Sequence, residues 1–297
     1  MQNDKLRSYL HLHFIVFIWG FTAVIGALIT LDALPLVWFR MCIAVSIILV
    51  YMLFKKIPLK IDIKTLIGFL FAGLVIALHW FTFFQAIKVS NISVTLACMS
   101  TGAFFASILE PIFFGRKVIW YEVLFGLIVV GGLYIIFNFE GNYINGILLA
   151  LSSAFLSAMF SIINGKYAKV HNPVVVSFYE LLGGVFFFSL YLLFSGSFTQ
   201  EFFIVSANDW CWLFVLASFC TAYAFIASVQ VMKYLSPYTV MLTINMEPIY
   251  GIILAVIVFN DKEHMSGAFY IGAAVILTTV ILNGVVKNFL ENKVKSA

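Results

Sequence analysis

The chain has 297 residues, 63% of them hydrophobic and only 10% charged, with a net charge of +4. A soluble domain is roughly 45–50% apolar and about 25% charged, so the composition excludes a soluble fold and requires a polytopic membrane protein. The basic residues sit in short loops between apolar runs and form no basic face, so no nucleic-acid partner is expected.

Ten apolar segments can be drawn in chain order: 9–29, 35–54, 65–87, 92–114, 118–137, 144–165, 174–194, 210–232, 237–259 and 266–286. Each is close to the length of about 20 residues that a helix needs to cross a bilayer. The fold class expected is all-α, with ten transmembrane helices. Lys5 and Arg7 precede the first segment as in a signal peptide. The run Tyr9–Ile29 is too long for that, and no small-x-small cleavage site follows, so it is expected to be a retained helix. The links are short, and several carry helix-start or turn chemistry: Leu34-Pro35, Glu140-Gly141-Asn142, Asn172-Pro173 and Ser236-Pro237. Cys42, Cys98, Cys211 and Cys220 lie within or beside apolar runs and read as small hydrophobes, without metal or disulfide spacing.

The first segment sets Ile15, Trp19, Thr22 and Gly26 on one face. Trp19 is central, where an aromatic ring stacks on a planar or cationic solute; packing is the alternative. Arg40, early in the second segment, is expected to snorkel to the headgroups. The third carries His79-Trp80; histidine is the side chain able to exchange a proton near neutrality. The fourth offers Thr95, Met99, Gly102, Ala106 and Glu110 on one stripe, where small residues equally permit close packing. Met159 in the sixth segment and Thr221 and Tyr223 in the eighth lie near mid-span and are cavity-lining candidates. Glu180 lies near the start of the seventh, at the opposite face from Arg40, so the two are not expected to pair.

The ninth segment is the most informative. Glu247 and Pro248 fall at its middle. A carboxylate there costs about 3 kcal/mol on insertion scales, so it belongs in a protein interior or wet cavity. Pro248 has no N–H for the carbonyl of Ile244, which must find another partner. Thr239, Thr243, Glu247 and Gly251 recur every fourth residue and so share one face. The reading is a polar stripe beside an opened backbone, with Thr243 lining a pathway, Glu247 coupling protons and Pro248 breaking the helix. A glutamate held only for packing is the alternative.

Fourteen basic residues fall in alternate gaps and tails, against Lys88 and Lys262 in the other set. The positive-inside rule then places both termini in the cytoplasm. The halves also repeat. Gln85-Ala86-Ile87-Lys88 matches Gln230-Val231-Met232-Lys233, and the glycine-led run at Gly126 matches that at Gly272, at offsets of 145 and 146. Residues 1–137 and 144–286 are therefore read as two five-helix halves, and 287–297 as a cytoplasmic tail. Five is odd, so the second half is inverted in the membrane. Glu110-Pro111 imitates Glu247-Pro248 but falls out of that register, which pairs Glu247 with Thr101 or Gly102.

These features resemble the EamA-type branch of the drug/metabolite transporter superfamily. The marks are the two inverted halves, Trp19-Gly20, Arg40, the Gln-x-x-Lys ends, Pro248 and Lys262-Glu263. The loop Gly115-Arg116-Lys117 departs from the family's usual Gly-Glu-Arg. The resemblance implies a cavity among helices 1, 3, 4, 6, 8 and 9, and export of amino acids, other metabolites or drugs, often proton-coupled. Expected partners are a small-molecule substrate and the lipid bilayer, with the chain a monomer or homodimer. No cofactor or metal is expected, and no H-E-x-x-H, Walker or Gly-x-Ser-x-Gly pattern points to an enzyme. An intramembrane enzyme, a flippase for a lipid-linked substrate and a passive membrane subunit are the competing classes.

Overall fold

The computed structural model describes residues 2–115, 120–139, 141–263 and 265–295. Among these residues all regular structure is helical. The helices are α1 (Gln2–Leu28), α2 (Ala33–Phe54), α3 (Ile63–Val89), α4 (Ile92–Met99), α5 (Gly102–Phe114), α6 (Trp120–Phe139), α7 (Ile144–Tyr167), α8 (Pro173–Phe194), α9 (Ala207–Ala217), α10 (Ala224–Val231), α11 (Pro237–Ile244), α12 (Glu247–Phe259) and α13 (Gly267–Lys295). Nine helical runs among the described residues are long and apolar enough to cross a membrane, and Leu124–Ile136 in α6 is a shorter apolar stretch where the fifth segment is expected. The last helix does not end near 286 but continues to Lys295.

Three of these spans, all among the described residues, are interrupted. The fourth divides into α4 and α5 at Ser100-Thr101, the ninth into α11 and α12 at Asn245-Met246, and the eighth carries a π-helical turn, Ser218–Tyr223, between α9 and α10. Pro248 at the second position of α12 accounts for the break in the ninth. The break in the fourth has no proline at it. There the hydroxyls of Ser100 and Thr101 bond back to the carbonyls of Leu96 (3.3 Å) and Cys98 (2.7 Å), competing with the helical pattern.

The repeat is visible residue by residue. Shifted by 145, α4 becomes α11 and α5 becomes α12 with identical ends. The N-cap of α4, Asn91, accepts from the Val94 N–H; at the same offset Ser236 accepts from the Thr239 N–H. Shifted by 140, α2 becomes α8, again end for end. Both finish in the same backbone motif, in which the N–H of Ile57 reaches the Met52 carbonyl and that of Ser197 reaches the Leu192 carbonyl, each at 2.9 Å. The left-handed residue of that motif is Lys56 in one half and Gly196 in the other. At the offset of 145, Gly115 and Asn260 also share a positive φ, though only Gly115 is left-handed helical. The offset is thus smaller for the early helices than the Gln-x-x-Lys match indicates. The link after α8 (195–206) is longer than the link after α2 (55–62), and the register shifts there.

With no water between helices, association depends on close packing of small residues. α3 lies against both α7 and α8. A Cβ on Gly184 would stand 3.2 Å from the Gly73 carbonyl oxygen, so these two glycines bring α8 and α3 nearly into backbone contact. Gly20 and Gly251 do the same for α1 and α12. α6 and α13 pack mainly on each other, outside the helices that surround the cavity.

Candidate functional site

A cavity of about 70 Å³ lies where the two halves meet. It is lined from α1 by Trp19 and Thr22, from α2 by Arg40, and from α3 by His79, Trp80 and Phe83. Met99 closes it from α4, Ser157, Phe160 and Ser161 from α7, and Phe225 and Ser228 from α10. Val240, Met241 and Ile244 of α11 and Glu247 of α12 complete the wall. The lining is apolar and aromatic with a few polar groups, the usual character of a small-molecule site. Its volume is well below the roughly 300–1,000 Å³ of sites for drug-sized ligands. It fits a solute of few heavy atoms, and a larger one requires it to widen.

The polar groups are placed by the interrupted helices. In the π-helical turn the Cys220 carbonyl faces two side chains. Trp19 Nε1 donates to it at 3.2 Å and Arg40 Nη2 at 3.5 Å. Arg40 Nε also donates to Thr221 Oγ1 at 2.5 Å, and Thr221 in turn donates to the Leu216 carbonyl at 2.8 Å. The Arg40 guanidinium carbon stands 4.1 Å from the centroid of the Trp80 ring, a cation–π contact. Arg40 is 1% exposed, and its Nη1 has no hydrogen-bond partner among the described residues. The guanidinium is thus fixed at one edge and open at the other. Such wide turns occur often at functional sites.

Glu247 is the first residue of α12, where the helix dipole favours negative charge. It shares the cavity with Arg40, close enough to feel its charge, but the two do not close into an ion pair. His79 is fixed from the other side. Ser153 Oγ donates to the His79 carbonyl at 2.8 Å, so its lone hydrogen is used. The ring Nδ1 must then be the donor to Ser153 Oγ (2.8 Å) and Ser153 O (3.0 Å), leaving Nε2 as the acceptor.

Five of the residues picked out in the sequence thus share this cavity: Trp19, Thr22, His79, Met99 and Glu247. The others do not line it. Gly102 heads α5, the position that Glu247 holds in α12, and its hydrogen face meets the Met241 methyl. Met159 packs between two apolar clusters. Thr221 stands one layer back, holding Arg40. Tyr223 is 42% exposed and bonds His11 Nε2 at 2.9 Å. Thr243 turns its hydroxyl back to the Thr239 carbonyl at 2.9 Å. The stripe facing the cavity is instead Val240, Ile244 and Glu247, because the turn at Asn245-Met246 ends the strict four-residue repeat. Pro248 is buried behind it.

Arg40 corrects the sequence reading most. It does not snorkel; it is fully enclosed and lines the site. The signal was present, since a charge within a span marks a functional position. Its place near a helix end favoured the headgroup reading instead. The serines of α7 gave no signal at all. Arg116, Lys117 and Glu140 lie outside the described residues.

A family model described as the EamA-like transporter family matches residues 7–138 and again residues 144–285. The chain belongs to the EamA-like transporter family. The two matches correspond to the two halves whose helix ends superpose in register. A solved structure titled only "Crystal structure of protein" is similar at 17% identity, with a TM-score of 0.67, over 93% of this chain and 97% of that one. At that identity the likeness speaks for the fold alone. No curated protein matches the chain. This EamA-like protein is accordingly a multi-pass membrane protein of transporter type.

Proposed function

We propose that this EamA-like protein is a secondary transporter that exports a small zwitterionic metabolite of amino-acid type across the cytoplasmic membrane, coupled to protons through Glu247. One observation carries the reading. Arg40 and Glu247 face a common aromatic-walled cavity at the junction of the halves without pairing. An open guanidinium edge accepts a carboxylate. Glu247 accepts an ammonium group or, when the solute is absent, a proton. Trp80, Phe83, Phe160 and Phe225 surround the remainder of the solute.

Binding sites beside broken helices at the junction of inverted halves recur among secondary carriers. The basic bias supports an orientation with both termini in the cytoplasm. No nucleotide-binding motif is present to drive a pump. The absence of enzyme motifs from the sequence favours transport over intramembrane catalysis.

The test uses proteoliposomes and a panel of amino acids. Glu247→Gln keeps the side-chain shape and removes its charge change. Uptake driven by a pH gradient should fall to the protein-free level, while counterflow of the same solute persists with weaker binding, because the amide oxygen still accepts from the ammonium. Full gradient-driven uptake by Glu247→Gln refutes coupling through this residue and makes His79 the next candidate.

A further inference from the structure

Below the cavity, between α7 and α8, lies a second buried polar cluster that the transport reading does not use. Glu180 of α8 is 0% exposed. Asn164 Nδ2 donates to its Oε2 at 3.3 Å. Its Oε1 has no partner among the described residues, and neither has Asn164 Oδ1. Ser161 stands one turn from Asn164 on α7, and Ser177 one turn from Glu180 on α8. Residues three apart share a helix face, about 5–6 Å apart at Cβ. The hydroxyls of both serines are buried and unpartnered as well. Four buried oxygens without partners thus lie within one helical turn of the Asn164–Glu180 contact along α7 and α8, one of them on the carboxylate itself.

No lysine, arginine or histidine makes an ion pair with Glu180 among the described residues. The neighbouring lysine, Lys166, sets its ammonium over the rings of Phe113 and Phe114. His171 meets the Phe69 ring edge-on and the Tyr167 ring at a tilt. Shifted by 140, Glu180 corresponds to Arg40. The first half brings a cation of its own to this position; the second brings an acid, with three further open oxygens on the same two helices.

A buried charge is kept only when it is paired or holds a metal. We propose that Glu180, Asn164, Ser161 and Ser177 form a binding site for a monovalent cation of sodium type. Oxygen donors alone select a hard cation. One carboxylate balances one positive charge, whereas a divalent ion would leave a net charge buried. Ser161 also lines the central cavity, so the site adjoins the solute pocket. The inference does not depend on proton coupling at Glu247.

The test is thermal unfolding of the purified full-length protein in sodium, potassium and choline chloride at equal ionic strength. Wild type should gain about 3 °C in saturating sodium over choline, and less in potassium. Asn164→Ala and Ser177→Ala should each reduce that increment, and Glu180→Gln should abolish it. Because Glu180→Gln risks misfolding, the two milder variants and the wild-type sodium titration each decide independently. Equal melting in all three salts overturns the proposal. So does a sodium increment that survives in Asn164→Ala and Ser177→Ala, or an increment reproduced in choline by acidification, which would make the occupant a proton. Solute flux is measured separately, so loss of transport with an intact sodium increment would fall on the functional reading alone.

Discussion

Glu263 reaches from the turn after α12 to the start of α4 in the other half. Its carboxylate accepts from the Ile92 N–H at 3.0 Å, the Ser93 N–H at 2.9 Å and the Ser93 hydroxyl at 2.8 Å. The residue is 4% exposed, and Ile92 and Ser93 are buried. Glu263→Ala therefore leaves two backbone donors without partners in a place that water reaches poorly. Each orphaned donor costs about 1–3 kcal/mol, so the pair costs roughly 2–6 kcal/mol before relaxation. A kcal/mol shifts the midpoint of a chain this size by about 2–4 °C. Thermal unfolding in detergent should thus move down by roughly 5–15 °C. Glu263→Gln keeps one acceptor oxygen and should lose about half as much. The control is Glu201→Ala at an exposed turn, which should not move the midpoint. If Glu263→Ala melts within a degree of that control, the contact does not tie the halves together and the reasoning fails.

Two further outcomes follow from the same geometry. In a background with Cys42, Cys98, Cys211 and Cys220 replaced, Met99→Cys and Ile244→Cys should react with small water-soluble thiol reagents, whereas Thr243→Cys should stay inert. Rapid labelling of Thr243→Cys with silence at the other two would mean that the ninth span is turned differently. A reporter active only in the cytoplasm, fused after Ala297, should be on; activity there of a reporter specific for the outer compartment would reverse the proposed topology.

The helices were legible because apolar length and loop charge act locally and leave a direct trace in composition. The break at Pro248 was legible for a similar reason, since a missing N–H is a property of one residue. The break at Ser100-Thr101 was not, because serine and threonine interrupt a helix only when their hydroxyls turn back on the backbone. Arg40 is legible as a charge within a span, but its direction is not. Whether a long cationic side chain reaches outward or inward depends on what the other half offers, here the Cys220 carbonyl, Thr221 and the Trp80 face. The cluster around Glu180 shows the same limit. Ser161, Asn164 and Ser177 are unremarkable in sequence and acquire meaning only when two helices bring them level.

The paired helix ends have a consequence of their own. A module used both upright and upside down meets opposite solutions, opposite leaflets and opposite fields at its two copies. A stop signal that works in both settings cannot depend on a charge that one side welcomes and the other repels. The caps at Lys56 and Gly196 both close through main-chain bonds, Ile57 N–H to Met52 and Ser197 N–H to Leu192, with the Ser195 hydroxyl adding one more bond to the Leu192 carbonyl in the second half. The side-chain latches behave otherwise. Asp209 holds the N–H and hydroxyl of Thr30, and Glu263 holds the head of α4, and each is built for a single address. The repeat thus resides in the main chain, and the halves differ where Asp209 and Glu263 make their contacts.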